Sequence, residues 1–240
     1  MKVLLFILAA LVAYMVGGIN PSIELSKRIY HTDVRQHGSG NAGLANFKRT
    51  FGNKWSWLVL LADLGKAAVV VAVFAGLFER YMDAWQLGAV YTGLFAMIGH
   101  AYPIWYKFKG GKCIVVFLSV IWFIDWRAGI ISVAVLLILL FTVRYFSLAD
   151  MCGVLSCPIT LLFVGAESPW VIVLSFVSVL LIFWRHKGNI KRLIKGTEPK
   201  FRLKAKGTIQ DAEKQPNKDV ASGNENYSSD VGLCENTEEK

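Results

Sequence analysis

Cysteine is rare in this sequence, and its four cysteines form no recognisable metal-binding or disulfide pattern. Cys113, Cys152 and Cys157 lie in or beside apolar segments, and Cys234 lies near the C-terminus. Because the sequence has neither a CxxC pair nor a Cys/His cluster with ligand spacing, it does not support a zinc or iron–sulfur site. We expect reduced thiols in an apolar interior, and we assign no metal and no cofactor.

Charged side chains are also scarce, and this scarcity leaves long apolar runs. Asp, Glu, Lys and Arg make up 18% of the residues, hydrophobic residues make up 55%, and the mean hydropathy is +0.46. The hydrophobic fraction exceeds that of an ordinary soluble domain. Seven apolar runs are present, at residues 3–19, 55–78, 85–98, 113–124, 128–143, 151–164 and 170–184.

The seven runs are best interpreted as transmembrane helices. A spanning helix needs about 20 apolar residues, with a range of roughly 17 to 25, so the first two runs qualify and the others need flanking residues. A helix satisfies its own backbone hydrogen bonds, which a bilayer requires. We therefore predict an all-α, polytopic integral membrane protein with seven transmembrane helices. Only Lys2 precedes the first run and no small-x-small motif ends it, so we expect a retained helix rather than a cleaved signal peptide.

The basic residues predict the orientation of these helices. Through residue 200 the chain carries 20 Lys and Arg against 9 Asp and Glu, and the cations cluster in alternate loops. Basic loops stay on the cytoplasmic side of a membrane. We therefore expect the N-terminus outside, the C-terminus in the cytoplasm, and a multi-pass location in the plasma (inner) membrane. We expect no nucleic-acid partner, and the sequence does not define an oligomeric state.

The last part of the chain differs in composition from the rest. Residues 204–240 contain few apolar side chains and mixed charges, so they could not bury enough surface to fold alone. We predict a membrane domain at residues 1–203 and a disordered cytoplasmic tail at residues 204–240.

Three polar loops fall on the predicted cytoplasmic side. The first, residues 38–52, reads "GSGNAGLANFKRTFG", and the second, residues 99–113, reads "GHAYPIWYKFKGGKC". Glycines between Lys109 and Lys112 could turn backbone N–H groups toward a phosphate at a helix N-terminus. A membrane-entry turn with snorkelling lysines is the alternative. The third loop, residues 185–198, reads "RHKGNIKRLIKGTE".

Several ionisable residues near these loops have more than one interpretation. Asp63 and Lys66 lie three residues apart inside the second run, so they could pair on one helix face and support the first loop. His100, beside a proline, is expected to be structural. His186 and Asn189 would share a face if the last helix continues through them. The nearby cations suit lipid headgroups, whereas His186 could also transfer a proton near neutral pH.

Taken together, the three loops resemble the motifs of the PlsY family, the acyl-phosphate-dependent glycerol-3-phosphate acyltransferases of bacterial membranes. The family pattern "GSGNPGATN" followed by Arg corresponds here to "GSGNAGLANFKR". The pattern "GH-FP…FKGGKG" corresponds to "GHAYPIWYKFKGGKC", and "RH…NI-RL--G-E" corresponds to "RHKGNIKRLIKGTE". "LADLGK" in the second run and "RYFSL" at residues 144–148 also match, in family order, up to about residue 202.

The resemblance implies a seven-helix fold with its active site on the cytoplasmic side. It implies transfer of an acyl group from acyl phosphate to the 1-hydroxyl of glycerol 3-phosphate, giving 1-acylglycerol 3-phosphate and phosphate in phospholipid synthesis. The implied catalytic residues are Ser39, Asn41, Arg49, Lys112, His186 and Asn189. The implied phosphate-binding residues are Gly38, Gly40, Gly43, Asn46, Arg49, Lys109, Gly110, Gly111, Lys112 and Ser147. Supporting roles fall to Asp63, Lys66, His100 and Glu198.

These roles suit a reaction in which both substrates carry phosphate. Arg49 could hold a phosphate bidentately, and Lys112 could neutralise another. Ser39 and Asn41 could donate to phosphate or to the developing oxyanion. His186 and Asn189 would orient glycerol 3-phosphate, with either His186 or a substrate phosphate oxygen accepting the hydroxyl proton.

Six positions depart from the family motifs, namely Val34 and Ala42 for Pro, Ala45 and Val116 for Thr, Cys113 for Gly and Asp150 for Ser. A carboxylate near a phosphate site repels the phosphate unless it is turned away or paired, so Asp150 bears directly on activity. A diverged or inactive paralogue is therefore one alternative. An anion transporter and a membrane scaffold are others, although the polar motifs lie at one face rather than at the midplane and no inverted halves are visible.

Overall fold

The computed structural model describes residues 1–201, and every regular element in that range is helical. The predicted tail at residues 204–240 lies outside the described residues. The α-helices of the described range are α1 (Lys2–Gly18), α2 (Pro21–Tyr30), α3 (Leu44–Phe51), α4 (Ser56–Met82), α5 (Trp85–Ala101), α6 (Ile114–Ile124), α7 (Trp126–Thr142), α8 (Phe146–Val164), α9 (Pro169–Arg185) and α10 (Lys187–Ile194). Short 3₁₀ turns lie at Val34–Gln36 and Ile104–Tyr106.

The seven predicted apolar runs correspond to α1, α4, α5, α6, α7, α8 and α9. Four segments are long and apolar enough to cross a membrane, namely Lys2–Tyr30, Ser56–Met82, Trp85–Tyr106 and Phe146–Val164. A fifth is added if α9 and α10, which are bent by 63°, count as one span. With 11 residues, α6 rises about 16 Å, roughly half of a hydrocarbon core. The all-helical prediction is confirmed for residues 1–201, and the seven-span count stays a prediction.

Helix α5 lies at the centre of the bundle and packs against α1, α4, α6 and α9. Its contact with α1 depends on glycine from both helices. A Cβ at Gly99 would overlap the carbonyl oxygen of Tyr14, and a Cβ at Gly17 would overlap that of Ala96. Small residues at a membrane-helix crossing let the two backbones approach closely.

The region between α1 and α4 contains α2, a 3₁₀ turn and α3, which pack around a small apolar cluster of their own. Asn20 caps α2, where its side chain accepts the N–H of Ile23 at 3.1 Å and Pro21 occupies the first turn. Beneath the loop lies an apolar cluster made of Ile23, Val34, Ala42, Phe47, Phe51 and Val59. This cluster holds the first predicted loop against the bundle.

Candidate active site

The first loop is organised by the buried side chain of Asn46 on α3. Its amide nitrogen donates to the carbonyl oxygens of Val34 at 3.0 Å and His37 at 2.9 Å, and its oxygen accepts the N–H of Ser39 at 2.8 Å. A Cβ at Gly38 would overlap that amide oxygen, and the φ of Gly38 is +58°. Asn46 and Gly38, predicted as phosphate ligands, therefore shape the loop directly.

The start of α3 presents unused backbone donors. The N–H groups of residues 41–45 have no acceptor within residues 1–201, whereas the N–H groups of Asn46 and Phe47 bond to Gly43. Asn20 donates to the carbonyl oxygen of Ala42 at 2.9 Å, and this bond fixes the loop segment that carries these N–H groups. A helix N-terminus with free N–H groups favours an anion.

In the second loop, the N–H groups of both glycines bond to backbone carbonyl oxygens of the protein. Gly110 donates to the carbonyl oxygen of Ala101 at 3.2 Å, and Gly111 donates to that of His100 at 3.0 Å. The expectation that both of these N–H groups face a phosphate is wrong for this conformation, because the loop uses them to close onto the end of α5. The N–H groups of residues 112–116, at the start of α6, have no acceptor in the described chain.

Arg185, at the end of α9, holds the same turn from the other side. Its guanidinium donates to the carbonyl oxygens of Gly111 and Gly110, each at 3.0 Å, and lies 5.0 Å from the ring centroid of Tyr102. A second arginine, Arg35, donates to the carbonyl oxygens of Tyr106 at 2.9 Å and Lys109 at 3.2 Å. Arg185 thus links the second loop to the third, and Arg35 links the second loop to the 3₁₀ turn just before the first loop.

The first and second loops meet where Gly111 lies against Ala42. A Cβ at Gly111 would lie 3.0 Å from the carbonyl oxygen of Ala42 and would overlap Nε2 of His100. A Cβ at Gly110 would overlap the carbonyl oxygen of His100. Glycine is therefore needed at both positions for close approach, which brings the two free helix N-termini together.

A buried ionic cluster supports the second loop from below. The ammonium of Lys66 lies 2.7 Å from Asp63 Oδ1 and 3.1 Å from His100 Nδ1, and it also donates to the carbonyl oxygen of Ile19. The predicted pairing of Asp63 with Lys66 is confirmed. The loop that rests on the cluster is the second rather than the first, because His100 lies directly beneath Gly111.

The third loop joins the second through a chain of hydrogen bonds. Lys112 Nζ donates to Asn189 Oδ1 at 2.6 Å, and Asn189 Nδ2 donates to Glu198 Oε1 at 2.7 Å. Ser147, at the start of α8, donates to the same oxygen at 2.6 Å, and Arg192 donates to Glu198 Oε2 at 2.7 Å. We call these five residues the Glu198 network. It brings together residues that are up to 86 positions apart, from Lys112 to Glu198.

The charges in this network shift two pKa values. Burial raises the pKa of Glu198, but hydrogen bonds from Ser147, Asn189 and Arg192 more than offset this, so the pKa lies below its ordinary value. Burial and the nearby charge of Arg192 lower the pKa of Lys112. Glu198 is therefore held ionised as the acceptor that orients Asn189.

The last apolar helix ends at His186, and it does not continue to Asn189. Helix α9 ends at Arg185, α10 begins at Lys187, and the two are bent by 63°. His186 is 1% exposed and directs Nδ1 to the carbonyl oxygen of Ile182 at 2.9 Å. The condition under which His186 and Asn189 would share one helix face is therefore not met, because a bend lies between them. His186 nevertheless lies near Lys112 and Glu198, the two hydrogen-bond partners of Asn189.

The remaining predicted ligands are more exposed. Ser39, Arg49 and Lys109 have exposed side chains, and Asn41 is half-buried. Gly40, with a φ of +69°, and Gly43, which caps α3, complete the first loop. The described part of the chain contains no group of three or more His, Cys, Asp or Glu residues that could hold a metal ion.

Three residues that position the site were not singled out from the sequence. They are Asn20, Arg35 and Arg185. An Asn-Pro pair is a typical helix start, so Asn20 could have been predicted as a cap. The contacts of Arg35 and Arg185 lie 71 and 74 residues away in the sequence, and no local pattern indicates them.

Two departures from the family motifs have visible structural consequences. Cys113 occupies the left-handed region at φ +70°, where a glycine would be unstrained, and its thiol donates to the carbonyl oxygen of Met97 at 3.1 Å. The N–H of Val34 donates to Ser26 Oγ at 3.0 Å, a bond that proline could not make. The first departure strains the turn, and the second adds a support to the loop.

Comparison with known proteins gives consistent matches. A family model described as glycerol-3-phosphate acyltransferase matches residues 7–196. A glycerol-3-phosphate acyltransferase of Coxiella burnetii is 31% identical over 198 residues, covering 82% of this chain and 99% of that protein. The crystal structure of PlsY in its glycerol 3-phosphate form matches with a TM-score of 0.73 at 30% identity, covering 82% of this chain and 96% of the other. The lysophosphatidic acid form of PlsY matches with a TM-score of 0.71 at 29% identity, covering 82% and 95%.

Proposed function

Since the chain belongs to the glycerol-3-phosphate acyltransferase family of membrane proteins that includes PlsY, we propose that it acylates glycerol 3-phosphate with acyl phosphate as the donor. The hydroxyl oxygen at carbon 1 attacks the acyl carbonyl carbon, and the bond from that carbon to the phosphate oxygen breaks. The products are 1-acylglycerol 3-phosphate and inorganic phosphate. The hydroxyl proton passes to a phosphate oxygen or to His186.

The observation that carries this proposal is the convergence of the three polar loops. Gly111 lies against Ala42, and Lys112 bonds to Asn189. A cationic side chain and two helix N-termini with free N–H groups therefore share one end of the bundle. A site for two phosphate-bearing substrates needs these groups more than it needs an activated protein nucleophile, because acyl phosphate is itself a mixed anhydride.

The two substrates are assigned to different parts of the site. Glycerol 3-phosphate suits Lys112, Asn189, Ser147 and His186, where Glu198 holds the polar side chains in place. Acyl phosphate suits the start of α3, with Ser39, Asn41 and Arg49, and the start of α6. This division agrees with a soluble acceptor that arrives from water and a donor whose acyl chain lies among the helices.

Membrane topology forms part of the same proposal. We propose seven spans within a domain at residues 1–203, with the N-terminus outside and the active site facing the cytoplasm of the plasma (inner) membrane. Exposed tryptophans at both ends of the bundle support this arrangement, since tryptophan favours the membrane interface. Those at the loop end are Trp57, Trp105 and Trp184, and those at the opposite end are Trp85, Trp122, Trp126 and Trp170.

A phosphate-release assay on the purified protein in lipid vesicles tests the reaction. Acyl phosphate is supplied with and without glycerol 3-phosphate, and acyl coenzyme A is supplied in parallel as an alternative donor. We expect phosphate release that requires glycerol 3-phosphate, lysophosphatidic acid as the lipid product, and no reaction with the coenzyme A ester.

Arginine and lysine variants locate the donor site in the same assay. Arg49→Ala should lose turnover by about a hundredfold or more, as expected for a lost charge-assisted phosphate contact. Lys54→Ala removes another exposed cation a few residues away and should keep activity. Folded wild-type protein that releases no phosphate above the Arg49→Ala level would contradict the proposed reaction and favour an inactive paralogue.

A further inference from the structure

Asp150 is a buried acid at a position where related motifs carry serine, and the proposed reaction leaves it unused. It lies in α8, one turn after Ser147, and its side chain is 4% exposed. Its Oδ1 is buried without a hydrogen-bond partner in the described chain. Its Oδ2 lies 3.9 Å from Nε2 of His186, whose side chain is 2% exposed.

The tautomer of His186 follows from its other nitrogen. Nδ1 lies 2.9 Å from the carbonyl oxygen of Ile182, and a carbonyl only accepts, so Nδ1 must carry a proton. A neutral His186 then presents a lone pair at Nε2. If Asp150 were ionised as well, two electron-rich atoms would face each other in a buried space. One further proton, on either Oδ2 or Nε2, removes this repulsion.

The charges around Asp150 and His186 explain why loss of that proton would affect phosphate binding. Lys112 from the second loop and Arg185 from α9 are the nearby cations, and Glu198 is the nearby anion, itself bonded to Arg192 of α10. The only charged residue of α7, Arg127, binds Asp125 at the opposite end of the bundle, and α6 has none. An ionised Asp150 would therefore compete directly with a phosphate for Lys112.

We propose that Asp150 and His186 carry a single proton as a pair, on Oδ2 or on Nε2, and that this proton cancels the charge of Asp150 so that phosphate binds beside Lys112. The predicted effect on catalysis rests on the proposed function. The presence of the proton on the Asp150–His186 pair does not depend on that function. Asp150 is in this sense a positioning residue that makes acceptor binding depend on pH. With the proton bound, the pair has no net charge. When it is lost, the pair carries one negative charge, and affinity for the phosphate falls.

The pH dependence of the KM for glycerol 3-phosphate tests the proposal on the full chain in lipid vesicles. In the wild type, KM should rise by about tenfold per pH unit once the shared proton is lost, with a smaller change in kcat. Asp150→Asn and Asp150→Ser remove the charge, so their KM should lack this rise over the same range. Asp125→Asn removes a buried acid far from the site and should behave as the wild type. Ionisation of the substrate phosphate affects all four proteins equally.

Nitrogen NMR on labelled histidine gives a second measurement that needs no turnover. The Nε2 resonance of His186, assigned by its loss in His186→Gln, should shift with pH in the wild type and stay constant in Asp150→Asn. Equal KM profiles for the wild type and both Asp150 variants, or an Nε2 resonance that responds identically in the wild type and Asp150→Asn, would overturn the proposal. Absence of turnover in every protein would be a failure of the proposed function, and the resonance would then decide whether the pair shares a proton.

Discussion

Lys112 Nζ donates to Asn189 Oδ1 at 2.6 Å across 77 residues of sequence. The bond joins a cation at the start of α6 to the side-chain amide of Asn189 on α10. The nitrogen of that amide donates to Glu198. A partly buried ammonium with one amide acceptor retains donors for a phosphate. This geometry makes Lys112 the cation most closely tied to the proposed acceptor site.

Replacing Lys112 should therefore remove most of the activity. We expect Lys112→Met to lower kcat/KM for glycerol 3-phosphate by at least about a hundredfold, since a charge-assisted contact to phosphate is lost. Lys107→Met removes an exposed lysine five positions earlier and should change kcat/KM by less than about threefold. Comparable losses in the two variants would show that general positive charge, rather than a specific contact, is what Lys112 provides.

The pKa of Lys112 leads to a separate prediction, which concerns the loss of kcat/KM at high pH. Burial lowers this pKa from the ordinary value of 10.5, so the free enzyme should lose its binding cation below that pH. In Asp150→Asn, where the proposed shared proton no longer contributes, the fall of kcat/KM with rising pH should report Lys112. Lys112→Arg should move the fall to higher pH, because arginine stays charged. An unmoved limit in Lys112→Arg would assign it to another group.

Glu198 should stabilise the fold in a pH-dependent way. Its pKa lies below the ordinary 4.5, so its contribution is present above the unfolded value and is lost as pH falls through the folded one. Glu198→Gln should therefore lower the Tm at neutral pH, and the difference from the wild type should shrink in acid. Glu79→Gln, an exposed acid at the end of α4, serves as the control and should show almost no difference at any pH. A Tm difference for Glu198→Gln that is constant with pH would mean that size, not charge, matters there.

Gly111→Ala should damage the second loop through steric overlap. The added Cβ would meet His100 Nε2 and the carbonyl oxygen of Ala42, and we expect a loss of about 2 kcal/mol or more together with most of the activity. Gly76→Ala is the matched control, because a Cβ there meets nothing within 4 Å. It should stabilise α4 by about 0.5 to 1 kcal/mol. Denaturant unfolding in detergent measures both changes, and a harmless Gly111→Ala would contradict the tight contact between the loops.

The buried pair of Asp63 and Lys66 should show strong coupling. Lys66→Met alone leaves a buried carboxylate without its cation and should cost about 3 to 5 kcal/mol. The double variant Asp63→Asn/Lys66→Met should cost less than the sum of the two single variants. A double-mutant cycle on the free energy of unfolding provides the test, and additive losses would show that the 2.7 Å contact contributes little.

The sequence was informative where local rules apply. Apolar runs predict the seven apolar helices, and the spacing of Asp63 and Lys66 predicts their pairing, because both depend on neighbours along one helix. The convergence of the three loops followed from family motifs rather than from any local rule. Which polar residues share the end of the bundle could be predicted, but not how they bond to one another.

The errors arose where distant contacts decide the outcome. Gly110 and Gly111 turn their N–H groups toward the end of α5, since Arg185 holds their carbonyl oxygens from the opposite side. The bend at His186 had no local signal, because "RHKGN" contains no proline that would end a helix. The spacing of residues also could not predict that Asp150 Oδ1 is buried without a hydrogen-bond partner in the described chain.

The short segment after α10 has a consequence for where the working unit ends. The N–H of Phe201 donates to the carbonyl oxygen of Arg144 at 2.6 Å, and the ring centroids of Phe201 and Phe146 are 6.0 Å apart. Residues 198–201 therefore pack against the start of α8. A truncation after α10 would keep every membrane helix, and by hydropathy alone it would look harmless. It would nevertheless delete the acceptor that Asn189, Ser147 and Arg192 share, so the third loop would lose its link to the start of α8 although the bundle itself remained whole.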